Sequence, residues 1–203
     1  MLGLSWHRKK NFMSPPREPL SLRLRNGTAE QHRHVEAGVS VMSPEFSLSH
    51  YKSLLFRSYE FFRAYELALK DWAHLKIPHF AERMRRSELL KHDLEHLGLA
   101  LPLTMASFPV PRSEAEVLGV MYVMEGSTLG GQVICRHLRE SLQLPDSALN
   151  FYRGYGPETG KYWQEFKHHL DRFNDQPESF SVACVTSAQK TFELFGAHLS
   201  TSV

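Results

Sequence analysis

The chain has 203 residues, 42% of them hydrophobic, enough for one sizeable core with no segment left for a second domain of comparable size. Its 24 Lys+Arg against 22 Asp+Glu give a formal net charge of +2, too even to mark an electrostatic footprint for nucleic acid. The longest uninterrupted apolar run, 117–124, is far too short to span a bilayer, and the basic stretch His7-Arg8-Lys9-Lys10 follows apolar residues, the reverse of a secretory signal.

Residues 1–19 hold Pro15, Pro16 and Pro19 with little apolar periodicity, so they read as a disordered leader, with Met13 as an alternative start, ahead of one helical domain over 20–203. All 11 prolines fall outside the segments with helical periodicity and punctuate them, which predicts an all-α protein. A first helix is expected over about 20–37 and a second over about 47–74. The second carries Tyr51, Leu54, Leu55, Ser58, Phe61, Phe62, Tyr65 and Leu69 as an apolar stripe stepping by three and four. A third, about 79–99, ends at Gly98 and is followed by a proline-marked loop. The fourth opens at Ser113-Glu-Ala-Glu116, where Ser113 can cap the first turn and Glu116 can reach back to it, and runs to about 142. After Gly154-Tyr-Gly-Pro157, one helix reaches about 173 and a last one covers about 178–198, with Phe180, Cys184, Ala188, Phe192, Phe195 and Leu199 on one face. No alternating strand pattern of useful length occurs. Cys135 and Cys184 make no CxxC or zinc spacing and read as buried thiols of a reducing compartment; a soluble cytoplasmic protein is expected.

The most informative stretch is Tyr122-Val-Met-Glu-Gly-Ser-Thr-Leu-Gly-Gly-Gln-Val-Ile134, which places Gly126, Gly130 and Gly131 inside an otherwise apolar helix. Three interior glycines forfeit roughly 2–3 kcal/mol of helix stability relative to alanine. Glycine there lets a helix bend and brings bare backbone against a neighbour, either a second helix in a close crossing, since Gly126 and Gly130 are one turn apart, or a flat ligand. The segment lacks GxGxxG and the Lys-Ser/Thr ending of a phosphate loop, and no strand precedes it.

Together with Leu24-Arg-Asn-Gly-Thr-Ala-Glu-Gln-His-Arg-His-Val-Glu36, the stretch Glu125-Gly-Ser-Thr-Leu-Gly-Gly-Gln-Val133 resembles the haem oxygenase family, most closely its bacterial members encoded beside phytochromes. The resemblance covers about residues 20–199, with Gly154-Tyr-Gly156, Trp163 and Phe166 as weaker support. It implies a multi-helix bundle holding haem b, as substrate and cofactor, between the first helix and a bent glycine-rich distal helix. It implies His32 as the proximal iron ligand in a series with Thr28 and Glu36, Arg25 as a partner for a haem propionate, and Gly126, Ser127, Gly130 and Gly131 as the distal, catalytic side. Oxidative ring opening by O2 to biliverdin, CO and ferrous iron follows, with an external electron donor, a reductase or ferredoxin, and a bacteriophytochrome as bilin acceptor. Several members carry an aspartate directly after the first distal glycine; this chain has Ser127, which can position water but supplies no carboxylate.

Residues 28, 32 and 36 share a helical face, so Glu36 can accept a hydrogen bond from His32 Nδ1 and leave Nε2 for iron. Neutral imidazole is a common haem ligand, whereas an ordinary surface pair is the plain alternative. His34 lies about 200° around the helix and faces away. His92-Asp-Leu-Glu-His96 looks like a metal stretch but lacks further ligands, His168-His169 reads as a basic solvated edge that could approach the propionates, and Phe61, Phe62 and Tyr65 read as core. Glu125-Gly-Ser127 is not followed by the glycine of GxSxG, so hydrolase chemistry has no support. Two rivals stand beside the enzyme: a non-catalytic haem carrier or sensor on the same fold, and a small-molecule enzyme or metal protein on a related bundle.

Overall fold

The computed structural model describes residues 17–200. Most of the expected leader, with Met13, lies outside the described residues. Among the described residues the chain is helical with no strand.

The expected first helix is two, α1 (Leu20–Gly27) and α2 (Ala29–Val39), interrupted at Thr28, whose φ of −115° and ψ of 6° leave helical geometry. Hydrogen bonding carries through, from Thr28 N to Leu24 O and from His32 N to Thr28 O, both 3.0 Å. α2 stops at Ser40, which adopts φ 44°. Helix α3 (Leu48–Leu69) starts on a reciprocal cap: Ser47 Oγ accepts from His50 N, and Ser47 N donates to His50 Nδ1 at 3.0 Å. Every residue of its expected stripe is buried, and it tightens into a 3-10 turn over Lys70–Leu75.

The expected third helix also divides, into α4 (Phe80–Arg83) and α5 (Arg86–His96). Arg83 and Arg86, 0% and 3% exposed, turn inward at this junction. The fourth becomes α6 (Glu114–Gly126) and α7 (Gly131–Ser141), with a turn over 127–130 between them. Ser113 Oγ accepts from Glu116 N at 3.3 Å as expected, but the Glu116 carboxylate reaches Arg112 N at 2.7 Å rather than Ser113. A short α8 (Asn150–Arg153), which periodicity does not reveal, is tied down by buried Asp93 of α5, whose carboxylate accepts from Asn150 N at 2.8 Å and Phe151 N at 2.9 Å. Helices α9 (Thr159–Asp171) and α10 (Glu178–Ser200) complete the bundle.

α6 is apolar around most of its circumference, as a helix must be to sit in a core, and nine of its 13 residues are buried. It packs along α10. Their approach depends on Gly119, where a β-carbon would lie 2.2 Å from the Cys184 carbonyl oxygen. This is the close helix crossing that the sequence offered for Gly126 and Gly130, and it is made by a different glycine. The Cys184 thiol donates to Ala115 O at 3.0 Å across the same contact, and both cysteines are buried.

Phe61, Phe62 and Tyr65 lie in the core. His168 is exposed but His169 is buried with neither ring nitrogen hydrogen-bonded, so the pair is not one solvated edge; burial, with Arg172 and Arg83 nearby, pushes the His169 pKa down. Among the described residues no helix is long and apolar enough to cross a membrane, and no group of three or more His, Cys, Asp and Glu could hold a metal ion, the His92–His96 stretch included.

Candidate active site

A cavity of about 680 Å³ opens where α2, the α6–α7 turn, α8 and α10 converge. Small-molecule and cofactor sites run from about 300 to 1,000 Å³. Its wall is mainly apolar, with Val35, Val39, Val123, Ile134, Phe192 and Phe195 among the residues facing it. Its polar residues are His32 and Glu36 from α2, Ser40 and Ser43 from the segment after it, Ser58 from α3, Arg86 from α5, Ser127 and Thr128 from the turn, and Tyr152 from α8.

His32 sits one turn into α2 with its side chain 53% exposed at the cavity. Its Nδ1 lies 3.4 Å from Glu36 Oε2, the i,i+4 spacing of a helical face. The ring rests edge-on against Phe192, centroids 5.6 Å apart and planes at 77°, which restricts its rotation. α2 and α10 together therefore orient the imidazole.

The turn between α6 and α7 supplies Gly126, Ser127, Gly130 and Gly131 to the same cavity. These glycines differ. A β-carbon at Gly131 would strike the Tyr152 carbonyl oxygen at 2.1 Å, so this position is required by packing against α8. A β-carbon at Gly130 would meet nothing within 4 Å, and one at Gly126 would make only ordinary contact with the Trp163 ring at 3.7 Å. Neither is needed by the protein's own packing; both leave room beside the cavity. The Ser127 hydroxyl donates to Met124 O and that of Thr128 to Glu125 O, each at 2.7 Å, satisfying carbonyls released where α6 ends.

Behind the turn lies a buried polar cluster. Glu125, 2% exposed, accepts from the Arg83 guanidinium and from Tyr155 OH at 3.0 Å. Arg83 also donates to Pro78 O at 2.7 Å and Tyr162 O at 2.8 Å, so one side chain ties the end of α6 to α4 and α9. Burial raises the Glu125 pKa, and Arg83 and Arg86 act against it; burial and the Glu125 charge raise that of Tyr155. The pair fixes where α6 stops and so where the open glycines stand.

A family model described as "Heme oxygenase" matches residues 18–101 and 106–201. The chain belongs to the haem oxygenase family. It is 31% identical over 145 residues to a haem oxygenase of Xanthomonas campestris pv. campestris (strain 8004), covering 71% of this chain and 86% of that protein. In fold it is similar to the NO- and CO-bound haem oxygenase of Neisseria meningitidis, with TM-score 0.74 and 24% identity over 89% of this chain and 90% of that one. It is also similar to the haem oxygenase of Leptospira interrogans, with TM-score 0.76 and 21% identity over 91% and 100%. This chain is thus an enzyme of that family on its all-helical fold, and the family's substrate is haem.

Of the residues singled out in sequence, the haem oxygenase fold brings His32, Glu36, Gly126, Ser127, Gly130 and Gly131 to one cavity. Thr28 is instead buried at the α1–α2 interruption, its hydroxyl donating to Leu24 O at 2.7 Å, and Arg25 is exposed; neither lines the cavity. Sequence reasoning missed Arg86, Ser58 and Phe192. Glu125 carried the available signal for the arginines, since a carboxylate at the end of an apolar run needs a cationic partner if it is buried.

Proposed function

We propose that this cavity holds haem and that the enzyme opens the ring with O2 and externally supplied electrons, yielding biliverdin, CO and ferrous iron. The observation that carries this reading is the meeting, in one apolar cavity, of an oriented histidine and two glycines that no packing requires. The walls suit a flat, largely apolar macrocycle, and bare backbone at Gly126 and Gly130 permits closer approach than any side chain.

When bound, haem supplies the iron at which O2 is activated and the ring that is oxidised. The chain's part is placement. His32 would ligate the iron through Nε2, and Glu36 would hold the Nδ1 proton and so fix the tautomer. Val123, Ile134 and Phe195 would keep bulk water from the bound group, and the bare backbone at Gly126 and Gly130 would allow it to approach the turn closely. Electrons come from a reductase or ferredoxin, and a bacteriophytochrome takes the bilin, the use suggested by the resemblance to phytochrome-linked members.

The test is to add one equivalent of haemin to the purified protein, record the spectrum, and then supply reductant in air with catalase present. Loss of the Soret band with a rising red, bilin-like absorption is expected. His32→Ala should abolish the native ligand-field spectrum; an unchanged spectrum would overturn the ligand assignment. The carrier reading draws on Ser127 standing where several members carry an aspartate: its hydroxyl donates back to Met124 O and brings no carboxylate to the cavity. A Soret band that persists with several competent donors would favour it.

A further inference from the structure

α10 supplies Phe192, Phe195 and Leu199 to the cavity wall, one face of the helix stepping by three and four. The two halves of this helix are held differently. In its first half the Cys184 thiol donates to Ala115 O at 3.0 Å and the Ser187 hydroxyl to Glu116 O at 2.9 Å, so α10 is fastened to α6 where Gly119 lets the backbones close. Its last turn is fastened to α3. Arg57 Nη1 donates to Leu199 O at 2.9 Å, and His198 Nε2 lies 3.1 Å from Arg57 O. A carbonyl oxygen only accepts, so Nε2 carries the proton and donates. Each side chain thus bonds the other residue's helix, a reciprocal latch. One turn along α3, Glu60 Oε2 stands 3.5 Å from the same His198 nitrogen, while its Oε1 accepts from the Thr104 hydroxyl. The His198 and Glu60 side chains are 25% and 14% exposed, which shields the contact from much of the solvent.

The latch lies at the cavity. Ser58, the residue after Arg57, lines it from the α3 side, as Phe195 and Leu199 do from α10. The Phe195 ring rests on Phe61 and Phe62 of α3, with centroids 4.9 Å and 6.1 Å apart. Phe61 and Phe62 are buried in the core, so α3 is the fixed side of this seam. The end of α10 is the movable one, because the last carbonyls of a helix have no partner within it and helix ends open at lower free energy than the body. A cation there meets an orphan carbonyl and opposes the helix dipole, which is what Arg57 does at Leu199 O. Releasing the latch frays the last turns, withdraws Phe195 and Leu199 from the wall, and parts the cavity from α3 without touching the Gly119 crossing.

We propose that the end of α10 is a gate of the cavity, latched shut on α3 by Arg57, His198 and Glu60, through which haem enters and its ring-opened product leaves. Phe192, the residue that orients His32, stands a turn nearer the fixed half of α10 and stays in place when the gate moves. The inference rests on the haem reading above.

The experiment uses the full chain, with and without one equivalent of haemin, in wild type, Arg57→Met, Arg57→Lys and His198→Leu. Transfer of haemin from the loaded protein to excess apomyoglobin, followed in the Soret region, should be at least about tenfold faster in Arg57→Met. Arg57→Lys keeps a cationic donor and should restore most of the wild-type rate; His198→Leu breaks the latch from the other helix and serves if Arg57→Met does not fold. In the haem-free chain, hydrogen exchange at the amides of 195–200 should quicken in Arg57→Met and His198→Leu while α6 keeps its wild-type protection. The ligand-field spectrum of the loaded variants should match wild type. Transfer within about twofold of wild type in both variants, or faster exchange spread evenly over all the helices, overturns the gate and leaves the haem reading standing. If wild type takes up no haemin, the haem reading fails and the gate with it.

Discussion

Gly119 and Gly130 stand on the same succession of helices, yet the space around them is opposite. At Gly119 the Cys184 carbonyl oxygen occupies the place a β-carbon would take, 2.2 Å away, and α6 meets α10 through that gap. At Gly130 the same construction meets nothing within 4 Å. One glycine lets two helices close and the other leaves a cavity open. Between them lies Glu125, pinned by Arg83 and Tyr155 at the end of α6. Glycine content alone therefore says little about a binding helix; what counts is what faces each position.

The strongest way to break the comparison is to remove the pin. Arg83→Met should leave Glu125 buried without its cationic partner and destabilise the fold by about 3–5 kcal/mol in urea unfolding; near-wild-type stability would mean that Tyr155 alone anchors the end of α6. Next, Gly119→Ala should lose about 1–3 kcal/mol because backbone rather than a flexible side chain must move. Gly130→Ala should differ from wild type by less than about 1 kcal/mol, in the stabilising direction, since its φ of −72° and ψ of −16° suit alanine. Equal losses at the two positions would erase the distinction between a closing and an opening glycine.

A fourth substitution sharpens the functional side. Gly130→Leu should fold as well as wild type but weaken haem binding by at least about tenfold, equivalent to about 1.4 kcal/mol, when haemin is titrated; unchanged binding would move the ligand away from the turn. Ser127→Ala removes one part-buried hydrogen bond worth about 0.5–1.5 kcal/mol and should alter turnover or the product pattern. No change in either would place the proton path wholly elsewhere.

Much of this was legible in the order of residues. The α3 stripe, the apolar α6, the Ser113 cap and the shared face of His32 and Glu36 are set by contacts three or four residues apart, which periodicity reports directly. The interruptions at Thr28, between Arg83 and Arg86, and over 127–130 were not legible. The last two depend on groups distant in sequence: the Arg83–Glu125 contact spans 42 residues, and the Gly131–Tyr152 approach brings α7 onto a helix that periodicity did not reveal. Thr28 is different: its place on the His32 helix predicted a shared face, but it is buried away from the cavity with its hydroxyl on Leu24 O, only four residues back.

By itself, then, the sequence determined an all-helical chain, its family resemblance, the histidine–glutamate pair and the glycine-rich segment, because each is written in local spacing or residue identity. Only the tertiary structure decided which glycines close and which open, that two arginines of α4 and α5 are buried, and that one of them lines the cavity. Burial of a charge is a property of what surrounds it in space, and a helix carries no local record of its neighbours.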